Sequence, residues 1–421
     1  MIRFVAIIAV LLMVTPIFAS DKDEEPKYDP VGTVMHHIAD ANEFHIGPWT
    51  IPLPCILYNS DSGLKTFSSS KFEYGKKVVE GYVLNYGRVN RIIDGPMEGL
   101  LTEVHAHDDS HKDDHGHDAD EDDHGHEGHS HDEHAEEHDG HHAHYVETEE
   151  VDGVEKGFVT INGTRYELEK PSTITAMTNF YDFSITKNVA GLFLAALIVF
   201  LIFTSVARKA KANAGKAPTG IQNFMEPFFI FIRDEVTRPM IGEKHYERFQ
   251  PYIMTVFFFI LILNLLGLVP FWAANVTGNI AATLVLAFFT FLVTNLNGNR
   301  HYWEHILWMP GIPAAVKLIL TPVEALGVII KPFSLMIRLF ANITAGHIII
   351  LSLVGLVFVF GNAGESVGGA AAGAAIAVPF TIFMNAIELI VAFIQAFIFA
   401  ILSASYIGAA VEEGHHAEEA H

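Results

Sequence analysis

The sequence predicts an all-α polytopic membrane protein preceded by a small β-rich and partly disordered periplasmic extension. The 421 residues are 50% hydrophobic with positive mean hydropathy, and the later part of the chain contains several apolar runs of about 20 residues, enough to cross a bilayer. The earlier part is polar and contains strand-like segments. We therefore expect five transmembrane helices and an interfacial amphipathic helix, with the last two transmembrane helices forming a long hairpin.

The net charge of −23 is unevenly distributed along the chain. Residues 105–144 contain 15 acidic residues and one lysine, and therefore carry −14 of this charge. A strongly acidic chain argues against a nucleic-acid partner. Cys55 is the single cysteine, which excludes an internal disulfide. We also expect no cofactor.

The first twenty residues have the pattern of a secretory signal peptide. Arg3 gives the positive start, residues 4–14 the apolar core, and Ala19 and Ser20 the small-residue end. The apolar core is short for a membrane span, so we expect cleavage near Ala19 or Ser20, with an uncleaved anchor helix as the alternative. Either interpretation leaves the polar residues that follow outside the cytoplasm.

Three segments of this extracytoplasmic region have strand-like composition. Residues 44–58 and 81–89 are rich in aromatic and β-branched residues and contain Pro or Gly breaks. Residues 157–167 predict a β-hairpin turned at Asn162-Gly163, a dipeptide that favours two-residue turns. We expect a periplasmic extension over residues 21–104 and a hairpin with a linker over residues 145–188.

Between these parts lies a His/Asp/Glu-rich tract, residues 105–144, with 14 of the 24 histidines. Low hydrophobicity and high charge predict that it is disordered. One hypothesis is weak, multi-site binding of zinc, copper or nickel. Its candidate ligands are His115, His117, His124 and His126. The other hypothesis is a solvated, proton-buffering linker, which we favour for any essential role because no spacing selects one tetrahedral site.

The first membrane span is predicted over residues 189–206, which contain no charged residue. Arg208, Lys209 and Lys211 follow at once and place this end in the cytoplasm. Residues 219–240 are amphipathic and are expected to lie along the cytoplasmic interface. The remaining predicted segments are spans over residues 250–270 and 279–296, two long apolar runs over residues 326–360 and 370–410, and a cytoplasmic tail over residues 414–421.

The run over residues 326–360 contains an arginine near its middle. Arginine at the centre of a membrane helix costs about 2.5–3.5 kcal/mol on insertion scales, so it usually faces a protein cavity or a partner charge. Ser334, Arg338 and Asn342 are spaced four residues apart and share one helical face. No acidic residue lies within one turn of Arg338 to neutralise it.

The run over residues 370–410 supplies complementary polar groups. Glu388 and Gln395 lie two turns apart and share a face, with Asn385 nearby. In an antiparallel hairpin, residues at equal depth have numbers with a constant sum. That sum is 733 for Arg338 with Gln395 and 735 for His347 with Glu388. Half of this sum is the residue number at the centre of the hairpin. It places the turn near residues 366–367, within a Gly-rich stretch that favours turns.

These residues make the chain resemble subunit a of the F-type ATP synthases. The resemblance covers residues 218–413 and is most specific around Arg338 and Gln395. It includes Arg338-Leu-Phe-Ala-Asn342, Gly346-His347, Glu324, Lys331-Pro332, Glu388, Gln395 and Tyr406. In many bacterial members the acid and the imidazole at positions 347 and 388 are exchanged, and this chain has the order of the mitochondrial members.

The resemblance implies a transmembrane domain over residues 189–413 that acts as the membrane stator, with its final hairpin against the c-subunit ring. One proton half-channel would use Asn342, His347, Glu388 and Gln395. The other would open near Ser334 and Glu324. Arg338 would stabilise the ionised carboxylate of each c-subunit and block direct proton passage between the half-channels. The subunit would have no catalytic site of its own.

The implied partners are the c-ring, the b-subunit peripheral stalk, the rest of the ATP synthase and the lipid bilayer of the bacterial inner membrane. The alternative function is a His-rich divalent-metal transporter, suggested by the tract. A transporter of this kind needs sets of His, Asp and Glu ligands inside the membrane, where this sequence offers at most one pair. A purely structural anchor is a third hypothesis and leaves Arg338, His347 and Glu388 unexplained.

Overall fold

The computed structural model describes residues 39–46, 49–73, 75–85, 87–102, 145–151, 154–173, 177–269, 275–308, 313–362 and 366–412. The predicted signal peptide, the His-rich tract and the cytoplasmic tail lie outside these residues. The chain divides into a β unit, Pro52–Ser184, and a helical unit formed by the residues before and after it.

The strands of the first part of the chain form three sheets. A two-stranded sheet pairs β1 with β2, a three-stranded sheet has the order β12-β3-β4, and a seven-stranded sheet has the order β8-β5-β6-β7-β11-β10-β9. The strands are β1 (Glu43–Ile46), β2 (Trp49–Pro52), β3 (Pro54–Asn59), β4 (Gly63–Ser68), β5 (Lys77–Val79), β6 (Tyr82–Asn85), β7 (Arg88–Ile92), β8 (Glu98–Leu100), β9 (Val146–Val151), β10 (Val154–Ile161), β11 (Thr164–Glu169) and β12 (Phe180–Asp182).

The seven-stranded sheet curls until its two ends meet. The chain after β8 pairs with β10, since Leu101 bridges Ile161 and the Thr102 N–H donates to the Thr160 carbonyl at 3.0 Å. The interior is apolar and includes Val83 and Val159, both essentially fully buried. This contact leaves less of the sheet edge exposed, and exposed edges promote aggregation.

The three-stranded sheet packs on the outside of this barrel. Its buried residues Leu57 and Phe180 share a core with Tyr82 of the barrel, and the Tyr82 and Phe180 rings lie 5.2 Å apart. Burial raises the pKa of the Tyr82 phenol above its usual range. The β unit therefore has two apolar cores, one on each face of the seven-stranded sheet.

The predicted β-hairpin over residues 157–167 is confirmed. β10 and β11 pair with Ile161 opposite Thr164. Asn162 and Gly163 have positive φ angles of 51° and 79°. Two consecutive positive φ values define a type I′ turn, whose twist matches that of the flanking strands.

The helical unit begins where the β unit ends. Among the described residues, four helices are long and apolar enough to cross a membrane, or five when the bent pair Ile280–Leu296 and Arg300–Trp308 is counted as one span. Each predicted span overlaps one helix, although the span predicted over residues 250–270 extends beyond a helix that ends at Gly267. The helices are α1 (Lys187–Ala212), α2 (Ile221–Phe231), α3 (Arg238–Ile241), α4 (Tyr246–Gly267), α5 (Ile280–Leu296), α6 (Arg300–Trp308), α7 (Ala314–Phe360) and α8 (Val367–Val411).

The segment predicted as one amphipathic helix over residues 219–240 contains a π-helical turn, Ile232–Thr237, between α2 and α3. The Arg238 N–H donates to the carbonyl of Arg233, five residues back. This wider turn leaves Ile232 buried while Arg233 points outward and bonds Asp234 through two nitrogens, at 2.7 and 3.0 Å. The Arg233 hydrogen bonds lower the pKa of the Asp234 carboxyl.

Helix α8 forms the centre of the helical core through a row of small residues. Ala392, Ala396, Ala400 and Ala404 are all fully buried, and their spacing of four places them on one face. The row allows close packing, because neighbouring backbones approach small side chains closely. Gly408 continues the row and lies directly against the Met240 carbonyl.

The chain segments that lead into and out of the β unit are bound to each other, an arrangement that we call the neck. The Lys187 N–H donates to the Ala41 carbonyl at 2.8 Å, and the Asn188 N–H donates to Asp40 Oδ1 at 3.1 Å. These bonds satisfy N–H groups of the first turn of α1, which have no partner inside the helix. Thr186 completes the cap by accepting from the Val189 N–H.

Candidate functional site

The two long helices α7 and α8 form the predicted hairpin. Helix α7 ends at Phe360 and α8 begins at Val367, so the turn falls in the predicted Gly-rich stretch. Helix α7 starts at Ala314, earlier than the predicted residue 326, and continues through Pro322 and Pro332. Prolines are tolerated in membrane helices because neighbouring groups satisfy the freed backbone carbonyls.

The register of the hairpin agrees with the constant-sum prediction. Near the turn, Gly373 lies against the Phe360 side chain, a pair whose numbers sum to 733. Deeper in the hairpin, His347 contacts Glu388, with the predicted sum of 735. Further along, the Lys331 ammonium lies 5.5 Å from the centre of the Tyr406 ring, where the sum is 737.

His347 and Glu388 form the contact at the centre of the candidate site. His347 Nδ1 lies 3.4 Å from Glu388 Oε1, and the side chains are 15% and 3% exposed. The pair is close but not aligned as a hydrogen bond, since neither carboxylate oxygen has a hydrogen-bond partner. A buried carboxyl without aligned donors pays a desolvation cost in its charged form. A small movement or one water molecule would connect the two groups.

Gly346 makes room for the Glu388 carboxyl. A Cβ atom at this position would lie 2.8 Å from Glu388 Oε1, closer than Cβ atoms approach other atoms in folded proteins, so the carboxyl would have to move. A glycine here therefore allows the acid to lie against the α7 backbone. The sequence-based analysis noted Gly346 as part of the motif but did not give it this role.

Asn264 of α4 is a further polar residue near this layer that the sequence-based analysis missed. Its Nδ2 donates to the Ala392 carbonyl of α8 at 3.1 Å, one turn from Glu388. Its Oδ1 is buried and has no hydrogen-bond partner. It interrupts a long apolar stretch of the second predicted span, and this is a signal that could have identified it.

Arg338 is half-buried in the middle of α7. Within the described parts of the chain, no carboxylate lies within 4 Å of it and it forms no hydrogen bond. Tyr406 of α8 lies within electrostatic range of its charge. The structure brings Arg338 and Gln395 to similar depth without a polar contact between them.

The remaining predicted site residues are distributed along the same hairpin. Gln395 is buried on the α8 face that also carries Glu388. Asn342 is exposed on the Arg338 face of α7, whereas Ser334 is half-buried. Glu324 is half-buried near the start of α7, about three turns before Ser334.

A second polar region lies toward the other end of the hairpin and was not predicted. The Tyr252 and Thr290 hydroxyls share a hydrogen bond at 2.9 Å, and Thr290 and Ser403 share another at 3.3 Å. This chain of hydroxyl groups joins α4, α5 and α8. Each hydrogen bond between membrane helices contributes only a modest free energy, but several together help to determine which helices pack against each other.

Next to this chain of hydroxyls is a small cavity of about 10 Å³, large enough for about one water molecule. Its polar lining includes Lys331, Tyr406 and Thr294, whose hydroxyl is buried without a partner. Ser334, predicted for this half of the path, lies less than one turn from Lys331. Neither Ser334 nor Glu324 lines the cavity.

Comparison with known families places these residues in context. A family model described as ATP synthase A chain matches residues 189–408. The chain belongs to this family. A second family model, described as a domain of unknown function (DUF8433), matches residues 33–183, and so covers most of the β unit.

Curated relatives named ATP synthase subunit a support the assignment. The protein of Chlorobium phaeobacteroides (strain BS1) is 46% identical over 248 residues, covering 57% of this chain and 70% of that protein. The protein of Chloroherpeton thalassium is 43% identical, covering 57% and 71%. The protein of Myxococcus xanthus is 40% identical, covering 58% and 78%.

The membership confirms the resemblance found in the sequence and does not support the metal-transporter alternative. The described residues contain no group of three or more His, Cys, Asp or Glu side chains that could hold a metal ion. The histidines proposed as weak metal ligands lie in the tract, outside the described residues.

Proposed function

We propose that this chain is the stator subunit that guides protons across the membrane and couples their flow to rotation of the c-subunit ring. The observation that carries the proposal is the pair formed by His347 and buried Glu388, on facing helices of a membrane-spanning hairpin. The hairpin also holds Arg338, which has no carboxylate within 4 Å among the described residues. One acid and one imidazole in contact can pass a proton between them.

The first half-channel would lead through the His347/Glu388 layer. Gln395 lies two turns deeper on the same face of α8, and Asn342 lies on α7 between His347 and Arg338. Asn264 adds a buried, unpartnered carbonyl oxygen one turn from Glu388. Such groups can bind the water molecules through which a proton moves between titratable side chains.

Arg338 would separate the two half-channels. A guanidinium stays protonated, so it cannot relay a proton and repels one that approaches. The c-subunit carboxylate must be neutral while it faces lipid, and Arg338 would stabilise its ionised form at the stator surface. The face of α7 beside Arg338 is open in this chain, with Asn342 and Ile337 both exposed.

The second half-channel would begin in the cavity lined by Lys331, Tyr406 and Thr294. Ser334 follows Lys331 within one turn, which extends the polar region toward Arg338. This arrangement supports the predicted position of the second half-channel and adds three residues to it. Glu324 would lie nearer the exit.

The proposed topology places the β unit in the periplasm and the C-terminus in the cytoplasm of a bacterial cell, with the chain in the inner membrane. The basic residues Arg208, Lys209 and Lys211 in the last turns of α1 support it, because such residues are enriched in cytoplasmic segments. The b-subunit peripheral stalk and the rest of the ATP synthase would complete the assembly. The proposal also includes the domain boundaries predicted from the sequence.

Replacement of Arg338 tests the function. Arg338→Ala and Arg338→Lys should both abolish ATP-driven proton pumping in inverted vesicles while the complex still assembles, because a lysine ammonium can lose its proton when buried and lacks the planar fork. Arg300→Lys is the matched control, because Arg300 is 92% exposed and its ion pair within the described residues is with Glu304. Near-normal coupled pumping in Arg338→Lys would overturn the assignment.

A further inference from the structure

Helix α6 turns sharply away from the membrane span that precedes it. Three residues separate α5 from α6, and the two helices are bent by 102°. If α5 crosses the bilayer, α6 runs nearly parallel to its surface. Gly298 in the connection lies under the Tyr302 and Trp303 rings, where a Cβ atom would be 2.7 Å from Tyr302.

The position of α6 is fixed against the end of the hairpin. The Asn299 N–H donates to the Ala410 carbonyl at 2.8 Å, and Asn299 Nδ2 donates to the Val411 carbonyl at 2.6 Å. These carbonyls belong to the last turn of α8, where they have no partner within the helix. Helix α6 therefore lies at the level at which α8 leaves the bilayer.

The apolar face of α6 is wider than the protein that covers it. Tyr302 and Ile306 are buried against Ala410, and partly buried residues of α7 pack beside them. Successive residues are about 100° apart around a helix, which places Trp303 and Leu307 directly beside this buried pair. Both are uncovered, with 38% and 57% of their surface exposed.

The opposite face of α6 is mostly polar, although Trp308 also lies on it, 62% exposed, with the Lys317 ammonium 4.7 Å from the centre of its ring. Arg300 and Glu304 form an ion pair at 2.6 Å, and His301 and His305 are exposed beside them. Around the helix the order is therefore protein, uncovered apolar residues, and then a face of charged residues and histidines that also includes Trp308. A helix parallel to a bilayer shows this order when one side contacts lipid and the other contacts water.

We propose that α6 is a membrane-interface anchor, with Trp303 and Leu307 inserted among the lipids of the leaflet at the C-terminal end of α8. Under the proposed topology this is the cytoplasmic leaflet. The argument for lipid is continuity, because α5, which belongs to a candidate membrane span, ends at Leu296, four residues before α6 begins. An indole ring also suits this depth, since its apolar body and N–H group match the boundary between acyl chains and headgroups.

Spin labels on the two sides of α6 test the proposal. Leu307→Cys and His305→Cys are two residues apart on opposite sides, and Trp303→Cys and His301→Cys repeat the comparison one turn earlier. The only native cysteine of this chain, Cys55, is buried. The labelled chain is incorporated into the whole complex, with other accessible thiols replaced by serine, in vesicles of phosphatidylethanolamine and phosphatidylglycerol.

Accessibility to oxygen reports the lipid phase, and accessibility to a nickel chelate reports water. We expect the oxygen-to-nickel ratio at positions 307 and 303 to exceed that at 305 and 301 at least about fivefold, as for a helix lying in the interface. Equal ratios on both sides would place the whole helix in water and overturn the proposal. Shielding of positions 307 and 303 from both reagents would overturn it as well, because another subunit would then cover this face.

Discussion

At the scale of single residues, proton transfer through the His347/Glu388 pair should depend on one acid and one imidazole in contact, whichever position each occupies. Glu388→Gln or His347→Ala alone should slow proton pumping by about a hundredfold or more, the lower end of the range for loss of an acid–base group. The exchange of the two, His347→Glu with Glu388→His, keeps one acid and one imidazole in the same contact. It should recover much of the lost rate.

The comparison is made by proton pumping in inverted vesicles for both single variants and the exchange. Non-additivity is expected only for groups in contact or in a shared water network. If the double variant loses the product of the two single effects, the residues act separately. The 3.4 Å contact would then have no functional meaning.

Gly346 gives a second prediction at this scale. Gly346→Ala places a methyl group against the Glu388 carboxylate and should reduce proton pumping without preventing assembly. Gly327→Ala on the same helix is the matched control, because a Cβ atom there meets nothing within 4 Å. The control should be neutral or slightly stabilising, since alanine favours a helix over glycine by about 1 kcal/mol. Equal pumping in the two variants would remove the role given to Gly346.

At the scale of elements, the described residues on either side of the tract pair with almost the same part of β10. Thr102 lies opposite Thr160 of β10, and Val146 lies opposite the next residue, Val159. The two segments lie in line along one edge of β10. The tract is therefore an insertion into what is otherwise one continuous edge strand.

Deletion of residues 103–144 should leave the barrel intact. Thr102 would join Tyr145 with one residue more than the ladder needs, and a β-bulge accommodates one extra residue. Hydrogen exchange of β10 in the full complex measures the result, and protection at Thr160 should persist.

Proton pumping in the presence of a metal chelator should also stay nearly unchanged at neutral pH. Loss of pumping under these conditions would show that the tract has an essential role.

Some elements could be predicted from sequence, and others could not, for a physical reason. The hairpin register followed from a few polar residues in apolar helices, because burial in a membrane restricts where such residues can lie. The Asn162-Gly163 turn was predictable because its signal is local. Strand β12 pairs with the distant strand β3, and its short, mixed sequence contains no local indication of the partner.

The residues of the site also divide into those that could be predicted from the sequence and those that could not. His347 and Glu388 were found because both are titratable groups in apolar runs. The bonds of Thr290 with Tyr252 and Ser403 were missed, because isolated hydroxyl residues are common in membrane helices and their meeting depends on how three helices pack. The π-helical turn was missed because no sequence pattern marks the extra residue.

At the scale of the whole molecule, the neck predicts that the membrane part folds without the β unit. Since Ala41 bonds Lys187 directly, residues 43–185 should be replaceable by about four Gly and Ser residues, a loop short enough to cost little closure entropy. The shortened chain should assemble and pump protons at near-normal rates. Assembly is measured by co-purification with the c-ring, and its loss would show that the β unit is needed for folding of the membrane part.

The neck also affects how the sequence of such a protein can change during evolution. A segment that returns to its starting point imposes no end-to-end distance on its host, so its size and content can vary without altering the helices that follow. The boundary between the two family matches, at residues 183 and 189, falls at this place. A lineage can therefore gain, lose or exchange the β unit as a cassette in one genetic event, while selection on the rotary machinery acts separately on the rest of the chain.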